Sequence, residues 1–293
     1  MTKQIKQLLK LFILFIVTSL TLGSNQLMAQ QKLGGLALYT VREDMSKDPV
    51  ETLEKVAGTG YAYVEAAGYK EGKYYGMEPD EFKNSLMKLG LTPMSTHQST
   101  ITLENADQLI SDAKAAGFRY FVIPVPPEGH YTRDPETQKR HMDGDLKPLV
   151  DMLNTIGKKC KDQGLSLLYH NHDFEYEKNA QGVVPIEYMI ENTNPEYVNF
   201  QMDLYWVTKA GSDPLAYFNK YPGRFKAWHV KDMDEEGNFA PVGTGTIDFK
   251  RILKEKEMSG MQFYLVEQDR NFKTPPLEAI KISHKSLVKL GFE

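Results

Sequence analysis

The feature that most constrains this chain is a regular alternation of short apolar runs and longer amphipathic segments from residue 33 onward. Eight runs have the composition of buried strands, and they are LGGLALYTV, YAYVEAAGY, LTPMSTHQS, FRYFVIPVP, LSLLYHNHDFEY, VNFQMDLYWV, FKAWHVKDMD and MQFYLVEQDR. Because helix-like segments separate them, the strands are predicted to pair in parallel, with both faces of the sheet covered. The chain is therefore predicted to be of the α/β class.

Eight strand-helix units in a region of about 260 residues match the size and count of a (β/α)8 TIM barrel, and we predict that fold as a single domain. An open doubly wound sheet is the alternative. Such a sheet normally carries a G-x-G-x-x-G turn after its first strand, and KLGGLALYT lacks that order of glycines.

The first 29 residues are predicted to be a signal peptide, and the barrel is assigned to residues 30–293. Lys3, Lys6 and Lys10 give a basic start, residues 11–22 form an apolar run too short to span a bilayer comfortably, and Ala29 offers a cleavage point. The protein is thus expected to be exported, either periplasmic or secreted, and to contact the membrane only transiently through this peptide. A retained N-terminal anchor is the other interpretation.

Charge and cysteine content exclude some partners. The formal net charge is -4 and no basic run stands out, so nucleic acid is a poor partner. Cys160 is the single cysteine and cannot form an internal disulfide, so the core alone must stabilise the fold. The sequence leaves the oligomeric state open, and a homo-oligomer is compatible with it.

Polar side chains collect where the predicted strands end, which in such a barrel is the edge that holds active sites. They are Glu65, His97, His170, His172, Glu175, Asp203, His229, Lys231, Asp232, Glu267 and Asp269. Since side chains alternate along a strand, residues two apart, such as His170 and His172, are predicted to share a face. A single histidine in a strand is usually a core residue, and it is the convergence of several strands that indicates a site.

The carboxylates among these residues need a cation, because an unpaired carboxylate in a strand as apolar as FYLV costs several kcal/mol to bury. For Asp203 and Glu267 the candidates are a divalent metal, Lys231 or Arg270. Oxygen and imidazole ligands suit Mn²⁺, Zn²⁺, Co²⁺ or Mg²⁺, and the lack of thiolates argues against a structural zinc. We predict one divalent metal at the barrel mouth.

The motifs resemble those of the xylose isomerase-like barrels, a family of sugar isomerases and epimerases, inosose dehydratases and endonucleases. The resemblance covers essentially the whole mature chain and rests on YHNHDFEY, MDLYWV, WHVKDMD, VGTGTIDFKRIL and YLVEQD, in this order. It implies that Asp203, His229 and Glu267 bind the metal together with a residue of strand five. The family's usual ENH reads HNH here, so His170 stands at the fourth ligand position, and Glu175 is the alternative ligand.

This replacement bears on the chemistry, because the family's epimerases use two metal-bound glutamates as an acid/base pair. A metal-bound imidazole cannot easily take a proton, which leaves reactions with one base: aldose-ketose isomerisation, dehydration or β-elimination. Glu267 is the first candidate for the base, with His172 or His97 as alternatives, and Lys231 is expected to hold a substrate oxygen.

The other candidates are predicted to bind substrate. Glu65, His97 and Glu175 are expected to line the pocket, and Trp206 is expected to stack on a sugar face. Tyr205 is predicted on the opposite face of the same strand, so one of the two aromatic residues is expected to pack in the core.

Two loops complete the predicted site. The long polar segment 126–145 follows strand four and is either a lid or a plain surface excursion. Gly243 and Gly245 in PVGTGTIDF free backbone N–H groups near a helix start, but a lone G-x-G is weak evidence for phosphate binding. A free sugar, an inositol-like compound or a keto-glycoside is therefore favoured over a sugar phosphate.

The function predicted first is an exported, metal-dependent carbohydrate isomerase or epimerase that abstracts a proton next to a carbonyl of a small-molecule sugar. A keto-sugar (3-keto-glycoside) lyase or inosose-type dehydratase on the same site is the alternative, and a non-catalytic sugar-binding barrel is the third hypothesis. An endonuclease would need more metal ligands and a basic groove. Metal content separates the enzyme hypotheses from the binding barrel.

Overall fold

A computed structural model describes residues 32–270 and 273–293. The predicted signal peptide, residues 1–29, lies outside the described residues. The barrel is contained in one unit, Leu33–Glu293. Within the described part of the chain, no helix combines the length and the apolar character needed to cross a bilayer.

Eight parallel strands close into a barrel, which confirms the predicted fold class. They are β1 (Gly35–Ala37), β2 (Tyr63–Ala66), β3 (Thr92–His97), β4 (Tyr120–Ile123), β5 (Ser166–His170), β6 (Val198–Asp203), β7 (Phe225–Val230) and β8 (Phe263–Val266). Each strand pairs with the next along the chain, and Leu36 of β1 pairs with Val266 of β8 to complete the ring. The carboxyl ends of all eight strands therefore meet at one mouth.

Helices follow the strands and cover the outside of the barrel. They are α1 (Arg42–Lys47), α2 (Pro49–Thr59), α3 (Pro79–Lys88), α4 (Ala106–Ala115), α5 (Lys147–Asp162), α6 (Pro185–Asn192), α7 (Leu204–Lys209), α8 (Pro214–Lys220), α9 (Phe249–Leu253), α10 (Lys256–Ser259) and α11 (Pro276–Leu290). Local signals set their ends: the Asp48 carboxylate accepts a hydrogen bond from the Glu51 N–H at the start of α2, and Gly60 ends that helix at φ 107°.

Two predicted strands end earlier than their apolar composition indicated. β1 has three residues and is followed by a 3-10 turn, Leu38–Val41. β6 stops at Asp203 because the carboxylate of that residue accepts hydrogen bonds from the N–H groups of Tyr205 and Trp206 and so caps α7. Tyr205 and Trp206 thus lie on a helix, and the prediction that they point to opposite faces of a strand was wrong.

An apolar layer inside the barrel supports the polar residues at its mouth. Leu168, Ala227 and Leu265 pack in one buried cluster with Val122 and Phe263. The first three each lie two residues before a polar residue of the predicted site, on the same face of their strand. The barrel interior is therefore apolar below the mouth and charged at it.

Candidate active site

Glu65 lies at the centre of a buried hydrogen-bond network at the mouth. Its Oε1 accepts from His229 Nε2 at 2.7 Å and lies 2.9 Å from His97 Nε2. Its Oε2 accepts from Ser95 Oγ at 2.7 Å and from Gln201 Nε2 at 2.8 Å. Burial would raise the pKa of this carboxyl group, but the two imidazoles outweigh burial and hold the pKa well below its ordinary value.

His229 bridges two glutamates, Glu267 and Glu65, that come from the carboxyl ends of different strands. Its Nδ1 lies 2.7 Å from Glu267 Oε2, and its Nε2 lies 2.7 Å from Glu65 Oε1. Burial lowers the pKa of this imidazole, but the two carboxylates prevail and raise it to about 10. With no metal bound, His229 is therefore an imidazolium paired with both glutamates.

Lys231 is a buried cation in contact with three carboxylates. Its Nζ lies 2.8 Å from Asp203, 2.6 Å from Glu267 and 2.8 Å from Asp269. Burial alone would lower the pKa of this ammonium group, whereas the three carboxylates raise it well above its ordinary value. The sequence predicted a substrate contact for Lys231; the structure shows that the side chain also binds the carboxylates together.

The Nε2 atom of His170 faces Asp203 without a proton, because a hydrogen bond to Gln201 fixes the tautomer of the ring. The Gln201 amide donates to Glu65, so its Oε1 is the acceptor for His170 Nδ1 at 2.9 Å. The proton of His170 is then on Nδ1, and its Nε2 lone pair faces Asp203 Oδ2 at 3.6 Å. Burial, followed by the charge of His229, holds the pKa of His170 well below its ordinary value. Asp203 Oδ2 is also the atom that Lys231 Nζ contacts at 2.8 Å, so the Nε2 lone pair of His170 has no proton to share and is available to a metal ion beside this carboxylate.

The donor atoms fit a divalent cation. Donor atoms of Asp203, His229 and Glu267 lie within 4.8 Å of one another, and a second such group joins His97, His170 and His229. The charges of the site also favour a divalent cation, because four carboxylates surround only two cationic side chains. The carboxylates are Glu65, Asp203, Glu267 and Asp269, and the cations are Lys231 and protonated His229. We call these six residues, with His170 and Gln201, the inner cluster.

His172 and Glu175 occupy different places although they are three residues apart. His172 lines the cavity above the inner cluster, and its Nδ1 is buried without a hydrogen-bond partner in the described part of the chain. Glu175 is buried elsewhere, where it accepts hydrogen bonds from the Tyr169 hydroxyl at 2.8 Å and the His172 N–H at 2.9 Å. The structure thus places Glu175 outside the inner cluster, where it braces the chain that carries His172.

Two connected cavities open above the inner cluster. The inner cavity, of about 250 Å³, is lined by His97, His170, His172, Lys231, Glu267 and Asp269 among others. The outer cavity, of about 690 Å³, is lined by Trp206, Tyr205 and a ring of charged residues. Tyr39, Arg140, His172 and Asp269 line both cavities and so mark the boundary between them.

The two predicted loops have distinct roles in this arrangement. Segment 126–145 forms a small hairpin, Thr132–Arg133 with Arg140–His141, whose residues line the outer cavity. The N–H groups of Gly243 and Gly245 both donate to the Asp232 carboxylate, at 2.8 and 2.9 Å. The glycine segment therefore binds an anion of its own chain, which agrees with the low weight given to phosphate.

Sequence reasoning missed Gln201 and Arg140. Gln201 precedes Asp203 by two residues in VNFQMD, so a polar residue on the same strand face was a usable signal. Arg140 lies in a loop without periodicity, and its place at the boundary of the cavities had no signal in the sequence.

A family model of the xylose isomerase-like TIM barrel matches residues 53–290. The chain belongs to this family. Its sequence is similar to that of an inosose dehydratase from Clostridium beijerinckii, with 29% identity over 167 residues that make up 50% of this chain and 55% of the relative. The match thus spans about half the length of that curated relative.

Solved structures share the xylose isomerase-like fold. A sugar phosphate isomerase/epimerase from Parabacteroides distasonis aligns with a TM-score of 0.74 and 24% identity, covering 91% of this chain and 96% of the other. The IolI protein, whose crystal structure holds a zinc atom, aligns with a TM-score of 0.63 and 17% identity, covering 87% and 96%. At these identities the likeness shows the fold alone.

Proposed function

We propose that this chain is an exported, divalent-metal-dependent enzyme that abstracts a proton next to a carbonyl of a carbohydrate. The observation that carries the proposal is the pairing, in one small cavity, of a buried set of metal donors with one imidazole nitrogen that has no partner among the described residues. Family membership and the names of the relatives, isomerase/epimerase and inosose dehydratase, support the same class of chemistry.

Asp203, His229, Glu267 and His170 would hold the metal. When bound, a divalent ion polarises a substrate carbonyl and so acidifies the neighbouring C–H. The zinc atom in the related IolI structure supports a metal at this mouth, and the metal is proposed to be Mn²⁺, Zn²⁺, Co²⁺ or Mg²⁺.

His172 is proposed to take the proton in place of Glu267, which the sequence favoured. Glu267 Oε2 already lies 2.7 Å from His229 Nδ1 and 2.6 Å from Lys231 Nζ. Although burial opposes them, these two cationic partners hold the pKa of Glu267 below its ordinary value, which makes it a weak base. His172 Nδ1 is unpartnered, and its ring is fixed between the rings of His170 and Trp206, at centroid distances of 5.1 and 5.4 Å. Burial, followed by the charge of Lys231, holds the pKa of His172 well below its ordinary value, so its imidazole is neutral and can accept a proton.

With one free base, isomerisation and β-elimination fit the site better than two-base epimerisation. The position that carries the second glutamate in epimerases of the family is His170, whose Nδ1 is bound to Gln201. Elimination is the second candidate because the sequence relative is named an inosose dehydratase, and a keto-glycoside lyase would use the same proton removal. Isomerisation returns the proton to the former carbonyl carbon, while the hydroxyl oxygen on the deprotonated carbon loses its proton and becomes the new carbonyl. β-Elimination instead expels a leaving group from the carbon on the other side of the deprotonated one, and a C=C bond forms between those two carbons.

The test is proton exchange of free ketoses, inososes and 3-keto-glycosides in heavy water, followed by ¹H NMR with the mature chain and each of the four metals. We expect metal-dependent loss of one C–H signal, abolished by chelator, and a new carbonyl or alkene signal that separates isomerisation from elimination. His172→Gln should slow exchange by about 10²–10⁴ with the fold intact. His130→Gln, outside both cavities, is the matched control.

Metal analysis completes the test. About one divalent ion per chain should be found, and it should be lost in Asp203→Ala and in His229→Ala. Sugar binding without metal and without exchange would contradict the proposal and support the non-catalytic barrel. Export is tested separately, since N-terminal sequencing of the processed protein should begin at Gln30.

A further inference from the structure

The outer cavity has an unusual set of charges. Six cationic side chains line it, and none of them forms an ion pair with a carboxylate in residues 32–270 or 273–293. They are Arg42, Arg133, Lys139, Arg140, Lys209 and Arg270. The lining has three carboxylates, those of Asp173, Glu177 and Asp269, and Asp269 is already paired with Lys231. In a chain with a formal net charge of -4, this local excess of positive charge is an attractive field for an anion.

Arg140 is the best placed of the six. Its guanidinium lies over the rings of Tyr131 and Phe174, at 5.4 and 5.5 Å from their centroids. Its Nε is buried and has no hydrogen-bond partner in the described part of the chain. Aromatic contacts therefore fix the position of this side chain while its donors stay unused, which is how arginine is prepared to bind an oxyanion with two hydrogen bonds.

The position of Arg140 sets where the anion would be. Arg140 lines the boundary of the two cavities, whereas Arg133 and Lys139 line only the outer one. The inner cavity, beside His172, has room for the reacting ring, and the outer cavity is nearly three times larger, at about 690 against about 250 Å³. Trp206 and Phe239 give the outer cavity aromatic surfaces of the kind that stack on sugars.

We propose that the substrate extends beyond the reacting ring into the outer cavity, and that its second sugar unit carries an oxyanion bound by Arg140 with Arg133 and Lys139. This inference rests on the proposed function for the reacting ring in the inner cavity. The substrate class is an acidic glycoside, and carboxylate, sulfate and phosphate share the required chemistry. The anion is on the neighbouring unit because the cations lie beyond the inner cavity.

The test measures binding and needs no turnover. Cellobiouronic acid and cellobiose differ by one carboxylate on the second ring, and their affinities for the mature chain are compared by calorimetry at about 20 mM and about 0.3 M salt. Cellobiose 6′-phosphate and 6′-sulfate distinguish the three oxyanions. At low salt the preferred acidic disaccharide should bind at least about tenfold more tightly than cellobiose, and added salt should reduce the ratio.

Arg140→Gln should bring the ratio close to one, and Arg133→Gln on the exposed hairpin should lower it by a smaller factor. Arg119→Gln, exposed just before β4 at the opposite end of the barrel, is the matched control and should leave the ratio unchanged. Equal affinities for all four disaccharides, or a ratio that both hairpin variants retain, would overturn the inference.

The two proposals fail in different ways. His172→Gln should retain the preference for the acidic disaccharide while it loses proton exchange. If the unsubstituted protein shows the preference but no exchange with any of the sugars, only the proposed function is contradicted. If it shows exchange but no preference, only the acidic substrate is contradicted.

Discussion

In the inner cluster Lys231 lies within 2.8 Å of three carboxylates and His229 lies 2.7 Å from two, whereas in the outer cavity Arg133 and Arg140 contact none within the described residues. The two regions are neighbours at one barrel mouth, and Asp269 belongs to both. Paired buried charges contribute to a fixed geometry, while unpaired cations near solvent remain available to a ligand. Under the two proposals made above, the difference separates residues that would carry out the reaction from residues that would select the substrate.

The two regions also differ in the secondary structure that carries their residues. The inner cluster comes from strands and their ends, whose backbone positions the barrel fixes within one hydrogen-bonded ring. The cations of the outer cavity come from the hairpin of segment 126–145, from the segment after β8 and from the first residue of α1 and the last residue of α7. Loops tolerate change better than strands, so specificity can vary while the inner cluster stays intact.

The largest expected difference between the regions is in stability. Lys231→Met removes the cation that the buried Asp203 and Glu267 share with the half-buried Asp269, and we expect a loss of about 3–5 kcal/mol in the free energy of unfolding. Arg133→Met, in the outer cavity, should change it by less than about 0.5 kcal/mol. Urea denaturation in the presence of chelator measures both values. Similar small losses in the two variants would remove the distinction between the regions.

A second prediction uses a buried carboxylate that has no cation. Burial raises the pKa of Glu175 from its ordinary value of 4.5 to about 7, although Tyr169 and the His172 N–H oppose the rise. Glu65, equally buried, has its pKa held far lower by His97 and His229. The contrast between the two glutamates shows that burial alone does not set the sign of the shift.

The raised pKa of Glu175 makes the protein more stable in acid. The folded state holds the proton more tightly than the unfolded state, so this contribution is fully present below pH 4.5 and is lost as the pH rises through 7. The loss amounts to about 3 kcal/mol. Glu175→Gln should lack this decline, and the difference between the two denaturation curves from pH 4.5 to 7.5 measures it. Parallel pH profiles for the two proteins would contradict the assignment.

Much of this arrangement was predictable from sequence, for identifiable reasons. The parallel topology brings the strand ends together, so Glu65, His170, Asp203 and His229 meet at one mouth. The strand periodicity of two does not extend to His172 and Lys231, because β5 ends at His170 and β7 ends at Val230. The sequence left open whether Lys231 or a metal compensates Asp203, because both fit the same pattern of residues. The structure shows that Lys231 pairs with Asp203. The carboxylates of the inner cluster still outnumber its cations, which favours a divalent ion as well.

Other features could not be predicted because they depend on local competition or on loop paths. The apolar run VNFQMDLYWV does not reveal that the Asp203 carboxylate caps a helix and ends the strand within it. Nor does the sequence of segment 126–145 reveal that Arg140 packs on Tyr131 and Phe174. In both cases a side-chain contact, absent from any periodic pattern, decides the position.

The prediction with the smallest expected effect tests whether the substrate anion binds to the arginines of the outer cavity or to the glycine segment that contains Gly243 and Gly245. The Asp232 carboxylate accepts four backbone N–H groups, those of Met233, Gly243, Gly245 and Ile247. Asp232→Asn turns an amide toward some of these donors, and we expect a loss of about 2 kcal/mol in the free energy of unfolding. Asp80→Asn, exposed in α3, should change it by less than about 0.5 kcal/mol.

The same variant sharpens the comparison between the regions, because Gly243 and Gly245 are not among the residues that line the outer cavity. Asp232→Asn should therefore keep the preference for the acidic disaccharide despite its lower stability. If Asp232→Asn, which removes the competing carboxylate, strengthens the preference while Arg140→Gln retains it, the anion binds at the glycine segment. The cations of the outer cavity would then take no part in substrate binding. The division into a catalytic inner cluster and an outer cavity that selects the substrate would be wrong.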